Sequence, residues 1–296
     1  MPRLTKHDAV LFLAPAFLVM LVITLYPFLY TLHLSFHDWN LAALHDKRFV
    51  GLANYIEFLT NPDVWHALRV TAFYVIGCVT IEVALGLSIA FLFDTAFRGA
   101  ELARNLLLLP MVMSSVVVGL IWRWIFNAEL GVLNYLVESL GLTPVAWLTR
   151  PGLAFMSVVV ADIWQWTPLV FLVCLAGLKA VPPDTIESAR IDGASWWQIQ
   201  RYVSLPAIQP IILTVVLIRT IDCLRFVDKI FVMTYGGPAG TTSVLGFHIY
   251  LKGFKYFQMG ATAAYSIVYM AIIIILAKLL IRSFSRADFR AEEKAR

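Results

Sequence analysis

The chain has 296 residues, of which 60% are hydrophobic and only 14% charged, and its formal net charge is +4. Soluble domains carry about a quarter charged residues, so this composition excludes an ordinary water-soluble domain and favours a polytopic membrane protein. Cys78, Cys174 and Cys223 lie in apolar stretches, without CxxC or cysteine–histidine metal spacing. We therefore expect neither a disulfide framework nor a metal site.

Six apolar stretches are long enough to cross a hydrocarbon core, which takes about 20 residues in a helix. The predicted spans cover residues 9–30, 70–93, 106–126, 153–178, 207–234 and 261–281. The fifth span could already end at Phe226. We predict an all-α fold with six transmembrane helices, forming one membrane domain over residues 1–296.

The first stretch follows Arg3 and Lys6 and could be mistaken for a signal peptide. It is too long, contains Pro15 and Pro27, and lacks a small-residue cleavage site, so we expect it to be retained.

Lysine and arginine are distributed unequally between the two sides of the predicted membrane. With the N-terminus inside, the inner segments hold twelve of these residues and the outer segments seven, Lys229 among the seven. Cytoplasmic loops carry the excess of positive charge. Both termini and the polar segment between the fourth and fifth spans are therefore predicted to be cytoplasmic, and the net charge of +4 requires no nucleic-acid partner.

The polar segment between the fourth and fifth spans has the pattern of two short helices. Asp184 and Glu187 form an approximate capping box after two prolines, which suit a first helical turn. Gly193 can end this helix in a left-handed conformation. Ser195 and Gln198 form a second capping box. The pattern predicts a helix–glycine–helix elbow, for which docking to a partner protein is one interpretation.

Another interpretation of this segment stays open on physical grounds alone. Trp196, Trp197 and Tyr202 favour the headgroup region, so the segment could be an amphipathic linker lying on the membrane surface.

A resemblance favours the docking interpretation. Residues 182–206 resemble the EAA loop of binding-protein-dependent ABC importer permeases, in which E-A-A, three residues, G and nine residues precede I-x-L-P. Ser188 and Val203 are mild departures from that pattern. Weaker similarities to the carbohydrate-uptake branch, which includes maltose and glycerol-phosphate permeases, follow in order along the chain. They are Phe49–Tyr55, Leu109-Pro110, Trp122–Asn127, Ala176–Leu178 and Thr234–Pro238.

In that family the loop is a coupling helix that docks on a cytoplasmic ATPase. The resemblance assigns docking to Glu187, Ser188, Ala189, Asp192, Gly193, Leu205 and Pro206. It implies the ABC type I importer permease fold in a bacterial inner membrane, with a second permease, two ATPase subunits, an external solute-binding protein and a sugar-type substrate. The chain has no GxxxxGK[ST] phosphate loop. We expect no catalytic residue or bound cofactor here, and ATP and Mg²⁺ would be used by the ATPase.

Polar residues on the fourth and fifth spans mark a candidate substrate pathway, because such residues are costly within a membrane. Helical spacing puts most of them on one face of each span. They are Asp162, Gln165, Trp166 and Leu169 on the fourth span and Arg219, Asp222, Cys223 and Phe226 on the fifth. The resemblance to maltose-type permeases implies sugar-lining positions on the same two helices.

Arg219 leaves the charge of the substrate open. A guanidinium favours bidentate binding of a carboxylate, phosphate or sulfonate, which suggests an anionic sugar derivative. The alternatives are an internal ion pair with Asp222 or Asp162 and a neutral oligosaccharide or polyol as substrate. Glu82 and Arg123 are predicted to have structural roles.

Two other classes of membrane protein are less consistent with the sequence. An intramembrane serine protease would need a membrane-embedded Gly-x-Ser-Gly, whereas the nearest match, Gly193–Trp196, lies in the polar segment. An ion-coupled secondary transporter would be expected to show internal repeats with paired broken helices, and its mechanism gives no reason for the elbow.

Overall fold

A computed structural model describes residues 6–43, 45–95 and 97–295, with side chains described between residues 12 and 282 of these ranges. The terminal cations Arg3 and Arg296, which contribute to the predicted cytoplasmic placement of the termini, lie outside the described residues.

The described chain is mostly helical, which confirms the all-α fold. Its first half contains α1 (Lys6–Ser35), α2 (Ala53–Thr60), α3 (Pro62–Asp94), α4 (Ala100–Val112), α5 (Ser115–Ile125), α6 (Val132–Ser139) and α7 (Pro151–Lys179). Its second half contains α8 (Pro183–Ile191), α9 (Trp196–Ile199), α10 (Leu205–Ala207), α11 (Gln209–Leu224), α12 (Asp228–Met233), α13 (Leu245–Tyr250) and α14 (Met259–Ala295). Two π-helical turns cover Gln200–Ser204 and Leu251–Lys255. Strands β1 (His37–Asp38) and β2 (Arg48–Phe49) pair antiparallel.

Four helices in the described chain are long and apolar enough to cross a membrane. These segments are Phe12–Ser35, Pro62–Asp94, Pro151–Lys179 and Met259–Arg282. Two bent helix pairs raise the number to six if each pair is one span. They are Ala100–Val112 with Ser115–Ile125, bent by 100°, and Trp196–Ala207 with Gln209–Leu224, bent by 65°.

The third and fifth predicted spans are not the continuous helices that the sequence suggests. The third predicted span is divided at Met113 and Ser114, just after Pro110, which has no N–H to donate. Gln165 donates to the Met113 carbonyl at 2.8 Å and so satisfies an acceptor near the bend. The fifth predicted span ends as a regular helix at Leu224, and α12 begins as a separate helix four residues later.

The chain divides into two compact units. The first comprises Met1–Val64 and Ile249–Ile272. Within it, buried Asn54 donates to the carbonyls of Ser35 and His37, both at 2.9 Å, and joins α2 to the end of α1.

The second unit comprises Trp65–His248 and Ile273–Arg296. Part of its apolar core is formed where α3, α7 and α11 meet. Buried members include Ala90, Val170, Phe171, Cys174, Leu175, Leu178 and Val215.

Close packing of α3 against α7 depends on Gly86. A Cβ at this position would lie 2.7 Å from the Cβ of Val170 and 2.9 Å from the backbone nitrogen of Phe171. We expect Gly86→Ala to lower the free energy of unfolding by about 1–3 kcal/mol, the usual range for overpacking. Gly77 is the matched control, because it lies on the same helix and a Cβ there meets no atom within 4 Å. Thermal unfolding of both variants in detergent checks this, and equal midpoints would contradict it.

Candidate functional site

The polar segment folds as the helix–glycine–helix elbow that the sequence predicts. Helix α8 ends near Gly193, whose φ is +81°, a left-handed conformation that glycine adopts readily. Ser195 caps α9 with a reciprocal capping box to Gln198. The predicted first box is wrong, because α8 begins after Pro182 with no side-chain cap hydrogen bond.

Most of the candidate docking residues on the elbow face solvent. Glu187, Ser188, Asp192, Gly193 and Pro206 are exposed, and Ala189 and Leu205 are partly buried. On either side, Leu178 at the end of α7 and Ile208 before α11 belong to the apolar core. The elbow is therefore an exposed projection attached at both ends to packed helices.

A buried cluster of four charged side chains lies where α3, α7, α11 and α12 meet. Arg219 on α11 donates from Nε and Nη2 to the two carboxylate oxygens of Glu82 on α3, at 2.8 and 3.0 Å. Nη2 also lies 3.0 Å from Asp162 on α7. Lys229 on α12 donates to the other oxygen of Asp162. All four side chains are at most 1% exposed, and their formal charges cancel.

Lys229 reaches this cluster because α12 packs closely against α5. A Cβ on Gly119 of α5 would lie 3.4 Å from the Lys229 Cα, and Arg123 of α5 donates to the Val232 carbonyl at 3.0 Å. Lys229, counted among the cations of the outer segments, is thus buried and paired with Asp162 and does not lie in a loop. Arg123 has the predicted structural role.

Arg219 forms the internal pair that the sequence left open, and Glu82 is an additional partner. Asp162 contacts the guanidinium directly, whereas Asp222 is 3.8 Å from Nη1 and its side chain is 45% exposed. The Trp166 ring lies against the same guanidinium, with its centroid 4.8 Å from the Cζ atom. Arg219 is thus surrounded by groups that match its charge and shape.

A pocket of about 220 Å³ borders the charged cluster. Its lining residues are Ser115, Asp162, Trp166, Arg219, Asp222, Cys223, Arg225, Phe226 and Asp228. Six of the eight candidate pathway residues are therefore together. Gln165 and Leu169 do not line this pocket, and Gln165 instead binds the Met113 carbonyl.

Sequence reasoning gave Glu82 a structural role, as a residue that could pair across helices, but did not identify Arg219 as its partner, and it missed the role of Lys229. The signal was present for Glu82, because a lone carboxylate in an apolar span requires a partner. Lys229 precedes the apolar run Ile230–Met233, which could have suggested that it is buried.

One group of side chains in the cluster has spacing that could suit a metal ion. Ligand atoms of Cys78, Glu82 and Asp162 lie within 4.8 Å of one another. Arg219 and Lys229 already supply the cations that these carboxylates bind, so the arrangement is explained without a metal.

Most of this chain matches a known protein family. Residues 82–287 match the model of the binding-protein-dependent transport system inner membrane component. The chain belongs to this family. It is therefore a membrane component of a transport system that depends on a binding protein, located in the inner membrane, and not an enzyme.

Individual proteins agree with this assignment over nearly the whole chain. The probable ABC transporter permease protein y4oQ of Sinorhizobium fredii is 38% identical, over 97% of this chain and 93% of its own length. The trehalose/maltose transport system permease protein MalF of Thermococcus litoralis is 33% identical, over 95% and 94%. A bacterial ABC transporter involved in the import of the acidic polysaccharide alginate shares the fold, with a TM-score of 0.82 and 20% identity over 95% and 96% of the two chains.

Membership in this family decides between the classes of membrane protein considered above. The intramembrane protease and the ion-coupled secondary transporter are excluded, and the expected ABC importer permease fold and family are confirmed.

Proposed function

We propose that this chain is a permease subunit of an ATP-driven importer that moves a neutral sugar or polyol across the inner membrane. Family membership supports import, and the relative whose name refers to trehalose and maltose supports a sugar. The observation that carries the choice of a neutral substrate is that Arg219 is already bound to two carboxylates.

The chemistry of the pocket suits hydroxyl groups. Asp222 and Asp228 line it as exposed carboxylates that can accept hydrogen bonds from a sugar, and Trp166 and Phe226 offer aromatic faces. A volume of about 220 Å³ is smaller than the roughly 300–1,000 Å³ of sites for drug-sized ligands. This pocket would contact one end of the substrate, and the second permease would supply the rest of the site.

The anionic sugar derivative suggested by the sequence has less support. Binding an anionic sugar requires a guanidinium whose donors are free and face the ligand. The Arg219 side chain is only 1% exposed, and its guanidinium is paired with Glu82. Arg225 also lines the pocket, but three aspartates line it as well.

The elbow would couple ATP hydrolysis to transport. It joins α7, which carries Asp162 and Trp166, to α11, which carries Arg219. A partner that displaced the elbow would therefore move both helices that border the pocket. We assign docking on a cytoplasmic ATPase to the exposed residues around Glu187 and Gly193. Two ATPase copies would bind ATP and Mg²⁺, while the solute-binding protein would deliver the sugar from outside.

Reconstitution tests this function. Proteoliposomes would contain this chain, its mate permease, the ATPase and the cognate binding protein. Uptake of labelled trehalose or maltose should require ATP, be blocked by vanadate and resist a protonophore. Uptake that continued without ATP, or an importer that took up amino acids but no sugar, would contradict the proposal.

A substitution of Trp166 tests whether the pocket binds the sugar. We expect Trp166→Ala to lower sugar uptake by about tenfold, since losing an aromatic contact in a binding site costs on the order of 1.4 kcal/mol. Trp164 is the matched control, because it lies on the same helix but lines a separate apolar groove and packs edge-on against Trp122, with ring centroids 5.8 Å apart. Equal uptake by the two variants at equal expression would argue against this sugar site.

A further inference from the structure

Glu82 lies outside the pocket but binds an arginine that lines it. Its carboxylate accepts both parallel hydrogen bonds from Arg219, at 2.8 and 3.0 Å. The Glu82 side chain has no exposed surface and is not among the residues that line the pocket. Of the two residues, only Arg219 borders the pocket, and Glu82 lies behind it.

The hydrogen bonds to Glu82 occupy the N–H donors with which an arginine binds an anion. A guanidinium binds a carboxylate or phosphate most strongly through two parallel N–H donors. In Arg219, Nε and Nη2 are directed to Glu82, and Nη2 also contacts Asp162. The third nitrogen, Nη1, lies 3.8 Å from Asp222. A carboxylate or phosphate on a ligand would have to displace Glu82 to form the bidentate contact with Nε and Nη2, and on the Nη1–Nη2 edge it would compete with Asp162 for Nη2.

The net charge around the pocket also disfavours an anionic ligand. The cluster and the lining together hold the four carboxylates of Glu82, Asp162, Asp222 and Asp228. They hold three cations, Arg219, Arg225 and Lys229. The formal excess of one negative charge opposes an anionic ligand, and it disappears if Glu82 is neutralised.

We propose that Glu82 determines the charge selectivity of this pocket, by positioning Arg219 so that the pathway accepts neutral sugars and rejects acidic ones. Glu82 acts through Arg219 and does not touch the substrate. This inference rests on the proposed sugar pathway and adds the residue that excludes acidic sugars from it.

The test replaces Glu82 with glutamine in the complete transporter, with its mate permease and ATPase, in lipid nanodiscs. Glutamine has nearly the same size and can still accept one hydrogen bond from Arg219, but it lacks the charge that holds the guanidinium. The ligand is glucose 6-phosphate, titrated at constant ionic strength, with glucose as the neutral comparison. The readout is the melting temperature of the complex.

We expect no saturable response of the wild-type complex to glucose 6-phosphate. Glu82→Gln should show a saturable rise on the order of 2 °C at a tenfold excess of ligand over Kd. Adding Arg219→Gln to this variant should remove the rise, which identifies Arg219 as the anion receptor. A purely structural role for Glu82 would change the melting temperature without creating a response to the ligand.

Asp222→Asn is the matched control, because it also removes one negative charge near Arg219 and leaves Glu82 bound to Arg219. We expect it to show no response. A response of Asp222→Asn would overturn the proposal even if Glu82→Gln failed to assemble, because overall charge would then be sufficient. A folded Glu82→Gln complex without a response would overturn it as well.

Uptake of trehalose or maltose by the wild-type complex is measured in parallel. Normal uptake without the anion response in Glu82→Gln would overturn only the role of Glu82. An anion response without sugar uptake by any form would instead overturn the proposed function.

Discussion

Replacing Gly193 with valine is expected to lower ATP-driven uptake by about 5- to 30-fold. The residue has φ +81° at the bend of the elbow, where an L-residue with a side chain costs roughly 1–2 kcal/mol, and that energy corresponds to this factor in the population of the native bend. A Cβ at Gly193 meets no atom within 4 Å, so the effect would come from the backbone and not from lost space. Uptake and coupled ATPase activity in proteoliposomes measure it.

Gly141 provides a control with the same kind of strain at another place. Its φ is +75°, and a Cβ there also meets no atom within 4 Å. It follows α6, on the side of the membrane predicted to be external. Gly141→Val should therefore retain most of the uptake. If Gly193→Val transports as well as Gly141→Val, the shape of the elbow does not matter for coupling.

Replacing Asp162 with alanine is expected to prevent most of the chain from accumulating in folded form. Asp162 binds both Lys229 and Arg219 within the buried cluster, and Lys229 would be left with no carboxylate among the described contacts. Removing one partner of a buried ion pair costs about 3–5 kcal/mol, a large part of the 5–15 kcal/mol that stabilises a typical protein. Fluorescence-detected size exclusion of tagged protein from membranes measures the folded amount.

A second substitution tests the cause of this loss. Lys229→Met in the Asp162→Ala background removes the unpaired charge, and we expect it to recover part of the folded protein. Asp222→Ala is the control for a weaker contact, since this side chain is 45% exposed and 3.8 Å from Arg219. Exposed ion pairs contribute about 0–1 kcal/mol, so its accumulation should remain near that of the wild type. No recovery in the double variant would mean that Asp162 acts by a route other than charge pairing.

The elbow could be predicted in detail because its signals are local. Gly193 and the Ser195–Gln198 capping box act within a few residues of the chain, and both have the predicted geometry. The failure of the Asp184–Glu187 box is also local: α8 begins at Pro183, so Pro182 holds the cap position without a side-chain acceptor and Asp184 lies within the first turn.

The buried cluster could be predicted only in part. Helical spacing identified Asp162 and Arg219 as polar residues on apolar spans, and an internal pair between them was one of the interpretations. The bidentate partner of Arg219 is Glu82, 137 positions earlier in the chain. Periodicity within one helix carries no information about which distant helix packs against it.

Composition, apolar stretch length and the spacing of the elbow residues determined by themselves that this chain is a helical membrane protein with an exposed helix–glycine–helix segment. Those properties follow from the solvent and from hydrogen bonds within single helices, which short sequence patterns record. Only the tertiary structure decided that Arg219 is bound to carboxylates and that Lys229 is buried. Lys229 reaches Asp162 because the chain breaks between α11, which ends at Leu224, and α12, which begins at Asp228. Charges buried where four helices meet have to cancel across those helices because lipid and protein provide no water to solvate them.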